Sequence, residues 1–154
     1  MMSHDHMPPP TPQELVSQMK ESAQSFLAAC ESLSQDQALQ SGVCGEWSAK
    51  AVVDHLTGWQ VQSLPILQQL LASQNAEFNF QIDAFNRTSV KSREDLSWQE
   101  SLAAFRDSYS AFDQAVEEVS PARYQTNKGF KSWLKAMIHE YSFHLPHIKK
   151  AQKL

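Results

Sequence analysis

Apolar residues recur at three- and four-residue steps in four segments of the chain, the spacing that places side chains along one face of an α-helix. The predicted helices span residues 12–33, 48–73, 98–119 and 132–152. No segment shows sustained apolar–polar alternation rich in β-branched residues, the pattern typical of a half-buried strand. The hydrophobic pattern therefore predicts an all-α protein.

Capping sequences mark where these helices begin. Thr11 stands three residues before Glu14, and Ser97 stands three residues before Glu100, the spacing of a capping box in which each residue satisfies a backbone N–H of the other. Ser48 and Ser132 can cap the second and fourth helices in the same way. We therefore expect four separate helices.

Two prolines and one long connection interrupt the pattern. Pro65 lacks a backbone N–H and predicts a kink or a break in the second helix near Ser63, and Pro146 predicts a loosened end of the fourth. Residues 75–96 have no sustained period and are predicted to be irregular. Four helices with one long middle connection favour a four-helix bundle whose crossover joins helices 2 and 3.

The composition is that of one globular domain. The chain has 154 residues, of which 42% are hydrophobic and 19% charged, enough for a packed core but short for two domains. We assign residues 11–154 to the bundle and residues 1–10, MMSHDHMPPP, to a disordered tail. His4 and His6 lie in that tail and are interpreted as solvated.

The charge and the cysteine content of the chain argue against several classes of function. The formal charge is −4 with no large basic cluster, which argues against nucleic-acid binding. No apolar run reaches the ~18 to 20 residues that span a bilayer, and no secretory signal is recognisable, so a cytoplasmic protein without membrane contact is expected. Cys30 and Cys44 do not form a CxxC pair and are interpreted as reduced thiols, Cys30 in the core and Cys44 in a loop.

Ionisable residues interrupt the apolar faces of two helices. His55 lies within the stripe of the second helix, and Glu140 and His144 lie one turn apart on the inward face of the fourth. His147 follows in the same register but directly after a proline. His139 is five residues from His144 and therefore lies on another side of the helix.

These inward residues predict either a metal site or a hydrogen-bonded group. A carboxylate out of water needs a partner, and a divalent cation bound by His55, Glu140 and His144 could be that partner. Zinc is the first choice, with nickel and iron as alternatives. An ordinary hydrogen-bonded Glu–His pair explains the spacing equally well. The predicted pocket around these residues is lined by Trp59, Trp133, Met137 and His147.

Residues 45–59, GEWSAKAVVDHLTGW, resemble the second-helix signature of the DinB/YfiT-like superfamily. The pattern is Trp-Ser-x-Lys-x-Val-x-x-His-Leu followed by Trp, and this version is most similar to the ClbS/DfsB branch and to the N-terminal domain of mycothiol-dependent maleylpyruvate isomerase. The ending His144-Leu145-x-x-Ile148 resembles the closing motif of the same superfamily.

The resemblance implies a bundle of up-down-down-up order. It also implies a divalent metal held by a second-helix His and two fourth-helix residues four apart, which correspond to His55, Glu140 and His144. Members of the superfamily include thiol transferases, an isomerase and a hydrolase. The resemblance therefore favours the metal site.

Two functions follow as hypotheses. The first is a metal-dependent hydrolase or thiol S-transferase that acts on a small electrophilic molecule through a metal-bound water or thiol, with a low-molecular-weight thiol as a second substrate. The second is a metal-free, ClbS/DfsB-like binding or protective protein, and a purely structural dimer is the third alternative. A homodimer is expected, with Phe78, Phe80 and Phe85 as aromatics that could cover a partner.

Overall fold

The structure is a computed structural model that describes residues 8–73 and 81–154. All the regular structure in these residues is helical apart from an isolated bridge between Cys44 and Trp47, which confirms the all-α prediction. In chain order the helices are α1 (Pro12–Glu31), α2 (Gln35–Leu39), α3 (Ala49–Ala72), α4 (Ile82–Lys91), α5 (Trp98–Glu117), α6 (Pro121–Thr126) and α7 (Lys128–Ala151).

Predicted caps begin three of the four long helices. The Thr11 hydroxyl accepts the Glu14 N–H at 3.1 Å, and Ser48 caps α3 through the N–H of Ala51. At α5 both bonds of the capping box form between Ser97 and Glu100. Each cap satisfies backbone donors that the first helical turn leaves unpaired, so these helices begin close to where the sequence predicts.

The predictions for residues 75–96 and for the start of the last helix are wrong. The stretch predicted to be irregular contains α4, whose Phe85 packs on Trp59 of α3 with ring centroids 4.3 Å apart. The last helix begins at Lys128 instead of Ser132, because Asn127 accepts the N–H of Gly129 through its side chain. Packing in one case and an unrecognised cap in the other overrode the sequence pattern.

Neither proline breaks its helix. α3 runs without interruption through Pro65, and α7 runs through Pro146. Beyond Pro65, the side chains of Ile66, Leu67 and Leu70 are buried, so core contacts hold the end of α3 in place despite the lost hydrogen bond. The expected break near Ser63 is therefore absent from the continuous α3.

The four long helices surround one core. α1 packs against α7 and α5, while α3 packs against α5 and α7 and also carries α4. Gln60 of α3 joins three helices by hydrogen bonds. It donates to Ser108 of α5 at 2.7 Å and accepts from the Tyr141 hydroxyl of α7 at 2.7 Å. The largest fully buried side chains are Trp98, Tyr141, Phe26, Phe105, Phe112 and Phe130.

A buried ion pair fixes the first turns of α3. Lys50 Nζ lies 2.9 Å from Asp54 Oδ2 and 2.9 Å from the backbone oxygen of Arg93, which lies just beyond α4. Both side chains are almost completely buried, so each charge depends on the other. The pair holds the start of α3 against the connection that leads to α5.

Some of the residues named in the sequence analysis lie outside the part of the chain that the structure describes. Residues 1–7, which include His4 and His6, lie outside the described residues, as do Phe78 and Phe80. Phe85, the third aromatic expected to cover a partner, packs within its own chain on Trp59. The homodimer stays a prediction.

Across residues 8–73 and 81–154, no helix combines the length and the apolar character that crossing a membrane requires.

Candidate metal centre

The three residues predicted to hold a metal come together where α3 faces α7. His55 Nε2 lies 3.3 Å from Glu140 Oε2, and His144 Nε2 lies 3.4 Å from the same oxygen. The three donor atoms lie within 4.8 Å of one another. One carboxylate oxygen and two imidazole nitrogens therefore converge on one point.

Helix geometry accounts for this arrangement. Glu140 and His144 are four residues apart on α7, which places their side chains one above the other on the same face. His55 lies on the buried side of α3, where its ring packs 5.2 Å from the ring of Trp47 and 5.1 Å from that of His144. His55 Nδ1 is buried without a hydrogen-bond partner among the described residues, so packing orients the ring.

The Glu140 carboxyl is held as an anion. Burial raises its pKa, but the hydrogen bonds and positive charge of His144 and His55 outweigh that effect and lower the pKa to about 2. The Glu140 side chain is 31% exposed, so this inward-facing residue is half-buried. The histidines are buried, with exposures of 2% and 6%. The Glu140 carboxylate thus lies between the two buried imidazoles and the solvent.

Two separations between the donors, both measured from Glu140 Oε2, fit a tetrahedral cation. Bonds of about 2.0 to 2.1 Å at tetrahedral angles place neighbouring ligand atoms roughly 3.3 Å apart. The separations of 3.3 and 3.4 Å from Glu140 Oε2 match that value and exceed the ~2.7 to 2.9 Å of a strong charge-assisted hydrogen bond. Carboxylate and imidazole donors suit zinc, nickel or iron, so the residues present fit a divalent metal.

A small cavity opens beside Glu140. It has a volume of about 190 Å³, and Glu140 supplies the carboxylate in an otherwise apolar wall. Three of the predicted pocket-lining residues, Trp59, Trp133 and Met137, line it, and the structure adds Ile82 and Ala136. His147 does not line this cavity.

Comparison with known protein families gives a match over residues 18–147, most of the chain, to the DinB superfamily. The chain belongs to the DinB superfamily. No curated protein and no solved structure matches it. This DinB chain carries His55, Glu140 and His144 within the matched residues, and its superfamily includes metal-binding members.

Two indole side chains of this DinB protein are fixed by hydrogen bonds at the cavity. Trp59 Nε1 donates to Asn86 Oδ1 of α4 at 2.8 Å, and Trp133 Nε1 donates to Ser63 Oγ at 2.8 Å. Ser63 in turn donates to the backbone oxygen of Trp59 at 2.7 Å. Asn86 lies in the segment predicted to be irregular, so its role was not visible in the sequence.

Cys44 and His147 form a second group on the other side of His144. His147 Nδ1 lies 3.1 Å from His144 Nδ1, and donor atoms of Cys44, His144 and His147 lie within 4.8 Å of one another. Burial and the nearby charge of Glu140 raise the pKa of the Cys44 thiol, while burial lowers the pKa of His147. Sequence reasoning missed Cys44, because no histidine stands close to it along the chain.

His139 and Cys30 lie apart from both donor groups. His139 stacks on Phe143 with ring centroids 5.7 Å apart and belongs to neither donor group. Cys30 is fully buried in the core as predicted, and burial raises the pKa of its thiol above the ordinary range. Neither residue contributes to the candidate metal centre.

Proposed function

We propose that this DinB protein is a metal-dependent enzyme of the hydrolase or thiol S-transferase type that acts on a small electrophilic molecule. The observation that carries the proposal is the position of Glu140 Oε2, 3.3 Å from His55 Nε2 and 3.4 Å from His144 Nε2. Three protein ligands leave a coordination position for a further molecule, which is the arrangement of catalytic rather than structural zinc sites.

His55, Glu140 and His144 would hold the cation, with zinc as first choice and nickel or iron as alternatives. A divalent metal supplies Lewis-acid chemistry that lowers the pKa of a coordinated water or thiol toward neutrality. Glu140 stays ionised at neutral pH and offsets part of the cation's charge. The two buried imidazoles fix the position of the site between α3 and α7.

The cavity lined by Trp59, Trp133 and Met137 would bind the electrophile. Its apolar walls favour an apolar body, and its volume of about 190 Å³ is below the ~300 to 1,000 Å³ of pockets for drug-sized ligands, so it suits a smaller molecule. Because Glu140 both lines this cavity and belongs to the donor group, the reacting end of a bound substrate would lie next to the residues that would hold the metal. A low-molecular-weight thiol is the proposed second substrate for a transferase, and water for a hydrolase.

Metal analysis of tag-free protein tests this proposal. We expect purified protein dialysed against zinc to retain it. In a Cys44→Ser background, which removes the thiol of the second donor group, the single changes His55→Ala, Glu140→Ala and His144→Ala should lower the metal content strongly. His139→Ala is the matched control, because it removes a histidine from the same helix as His144 outside the donor group. That variant should bind as much metal as the unaltered protein.

Two results would contradict the proposal. If tag-free protein takes up no zinc, nickel or iron, the metal-free binding or protective protein becomes the better account, with the carboxylate and imidazoles as hydrogen-bonding groups. If His139→Ala removes the metal while His144→Ala keeps it, the ligand set on α7 is wrong. Circular dichroism of each variant shows whether the helical fold survives.

We also infer that α1, α3, α5 and α7 form a four-helix bundle of up-down-down-up order. Contacts between the helices support antiparallel neighbours for α1 with α5 and for α3 with α7, and parallel neighbours for α3 with α5. Helices α1 and α5 are joined by Lys20–Asp113 and Glu31–Arg106. Helices α3 and α7 are joined by His55–Glu140 and Ser63–Trp133. Helices α3 and α5 are joined by Asp54–Ser101 and Gln60–Ser108.

A further inference from the structure

We propose that Cys44, His144 and His147 form a second metal site, which binds a thiophilic cation of the zinc type through a thiolate and two imidazoles. This site, called the thiolate site below, shares only His144 with the first ligand set and needs neither His55 nor Glu140. Its three donors lie within 4.8 Å of one another. Sulfur and imidazole nitrogen are the donors that zinc, cobalt and copper prefer.

Cys44 is held in place by a rigid turn. Its backbone oxygen accepts the Trp47 N–H at 2.9 Å, and the following Gly45 has a φ of 57°, a left-handed conformation that glycine adopts without strain. Lys150 of α7 donates to the backbone oxygen of Gly42 at 3.0 Å, which ties the turn to the helix that carries both histidines. Thiol and imidazoles are therefore positioned by connected elements.

Access and charge suit an exchangeable ion. Cys44 and His147 are half-buried, whereas His144 is buried, so the group opens to solvent on one side. The two Nδ1 atoms of His144 and His147 lie 3.1 Å apart, close to the ~3.3 Å expected between two ligands of a tetrahedral cation. Binding transfers the thiol proton of Cys44 to solvent and leaves a fourth coordination position open.

His144 belongs to both ligand sets through different nitrogens. Its Nε2 faces Glu140 at 3.4 Å, and its Nδ1 faces His147 at 3.1 Å. A neutral imidazole has only one lone pair, because the other nitrogen carries a proton. One cation at a time can therefore use a neutral His144, and the two sites compete for it.

Cobalt(II) is the probe that separates the two sites, because a thiolate bound to it produces a charge-transfer absorption in the near ultraviolet that carboxylate and imidazole ligands do not produce. We expect His55→Ala, which removes a ligand of the first site only, to show this absorption at least as strongly as the unaltered protein. Cys44→Ser and His147→Ala should lose it. Cys30→Ala is the matched control for the other thiol and should keep it.

A second measurement does not depend on variants. Zinc should slow the alkylation of Cys44 by iodoacetamide, since a coordinated thiolate is blocked, and mass spectrometry of the modified peptide reports the rate. The proposal is overturned if folded His55→Ala shows no thiolate absorption with saturating cobalt, if the absorption survives Cys44→Ser, or if zinc leaves the alkylation rate unchanged. A weaker absorption in His55→Ala overturns the competition for His144. If only the thiolate site binds metal, Cys44→Ser loses the metal and Glu140→Ala keeps it. That result would contradict the first site and leave the thiolate site standing.

Discussion

The charge of the Glu140 carboxyl depends on its two histidine neighbours. The pKa of Glu140 is lowered to about 2 by His144 and His55, against the raising effect of burial. In the metal-free protein this group contributes stability above pH ~4.5, and that contribution is lost as the pH falls toward 2. Across the range in which histidines titrate, the carboxylate stays ionised.

If the first donor group binds zinc, its imidazole ligands would set the acid limit of binding, because a metal and a proton compete for the same nitrogen lone pair. Histidine in model peptides has a pKa of about 6.5, and a protonated imidazole has no lone pair for a metal. We expect zinc occupancy to fall as the pH drops below about 6, well above the range in which Glu140 takes up a proton. Equilibrium dialysis across pH 4 to 8 measures it; release only near the pKa range of carboxyl groups, about pH 4, would contradict the assignment of imidazole ligands.

Sequence reasoning selected the residues of the first donor group, which the structure brings together, because each is an exception within a regular pattern. His55 interrupts an apolar stripe, and Glu140 with His144 has the four-residue spacing of one helix face. Cys44 carried no such signal, since it lies in a turn and meets His147 only when the chain folds. Contacts between a turn and a distant helix are set by tertiary packing, which periodicity does not encode.

At the scale of elements, the long helices were predictable and α4 was not. α5 starts at the predicted cap because Ser97 and Glu100 form both local bonds of the capping box. α4 has no side-chain cap, and its stability depends on contacts with α3, such as Phe85 on Trp59. A ten-residue helix is marginal in isolation, so its sequence alone gives a weak pattern.

Gly58 permits the close approach of α4 to α3. A Cβ atom at Gly58 would lie 2.7 Å from Ser89 Cβ and still closer to Ser89 Oγ. Gly58→Ala should therefore push α4 away and destabilise the protein by about 1 to 3 kcal/mol, reduced by the roughly 1 kcal/mol helix preference of alanine. Urea unfolding of the metal-free protein measures the change.

Ser89→Gly provides the control for this clash, because it removes both atoms that the new Cβ would meet. The double variant Gly58→Ala, Ser89→Gly should be more stable than the sum of the single effects predicts. Strict additivity of the two changes would show that Ser89 is not the obstacle.

At the scale of the whole molecule, a metal at the first site would connect two of the four long helices. His55 belongs to α3, and Glu140 and His144 belong to α7, so the ligand set exists only in the folded protein. A ligand at 100 times its dissociation constant stabilises the native state by about 2.7 kcal/mol. For a chain of this size that corresponds to a rise in Tm of roughly 5 to 10 °C.

Differential scanning calorimetry with and without zinc measures this rise. In a Cys44→Ser background, which removes the thiol of the second donor group, Glu140→Ala should show little of this rise, because the variant keeps both imidazoles but loses the anionic ligand. An equal rise in the variant and the unaltered protein would place the stabilising ion elsewhere.

The tryptophans next to the site allow ligand binding to be followed by the intrinsic fluorescence of the protein. Trp59 and Trp133 lie with ring centroids 6.0 Å apart at the cavity, and Trp47 lies 5.2 Å from His55, whereas Trp98 is buried in the core. Indole emission responds to the polarity of its surroundings and is quenched by nearby paramagnetic ions. Intrinsic fluorescence should therefore follow both the filling of the cavity and the arrival of cobalt, so that candidate substrates can be screened on the unlabelled protein.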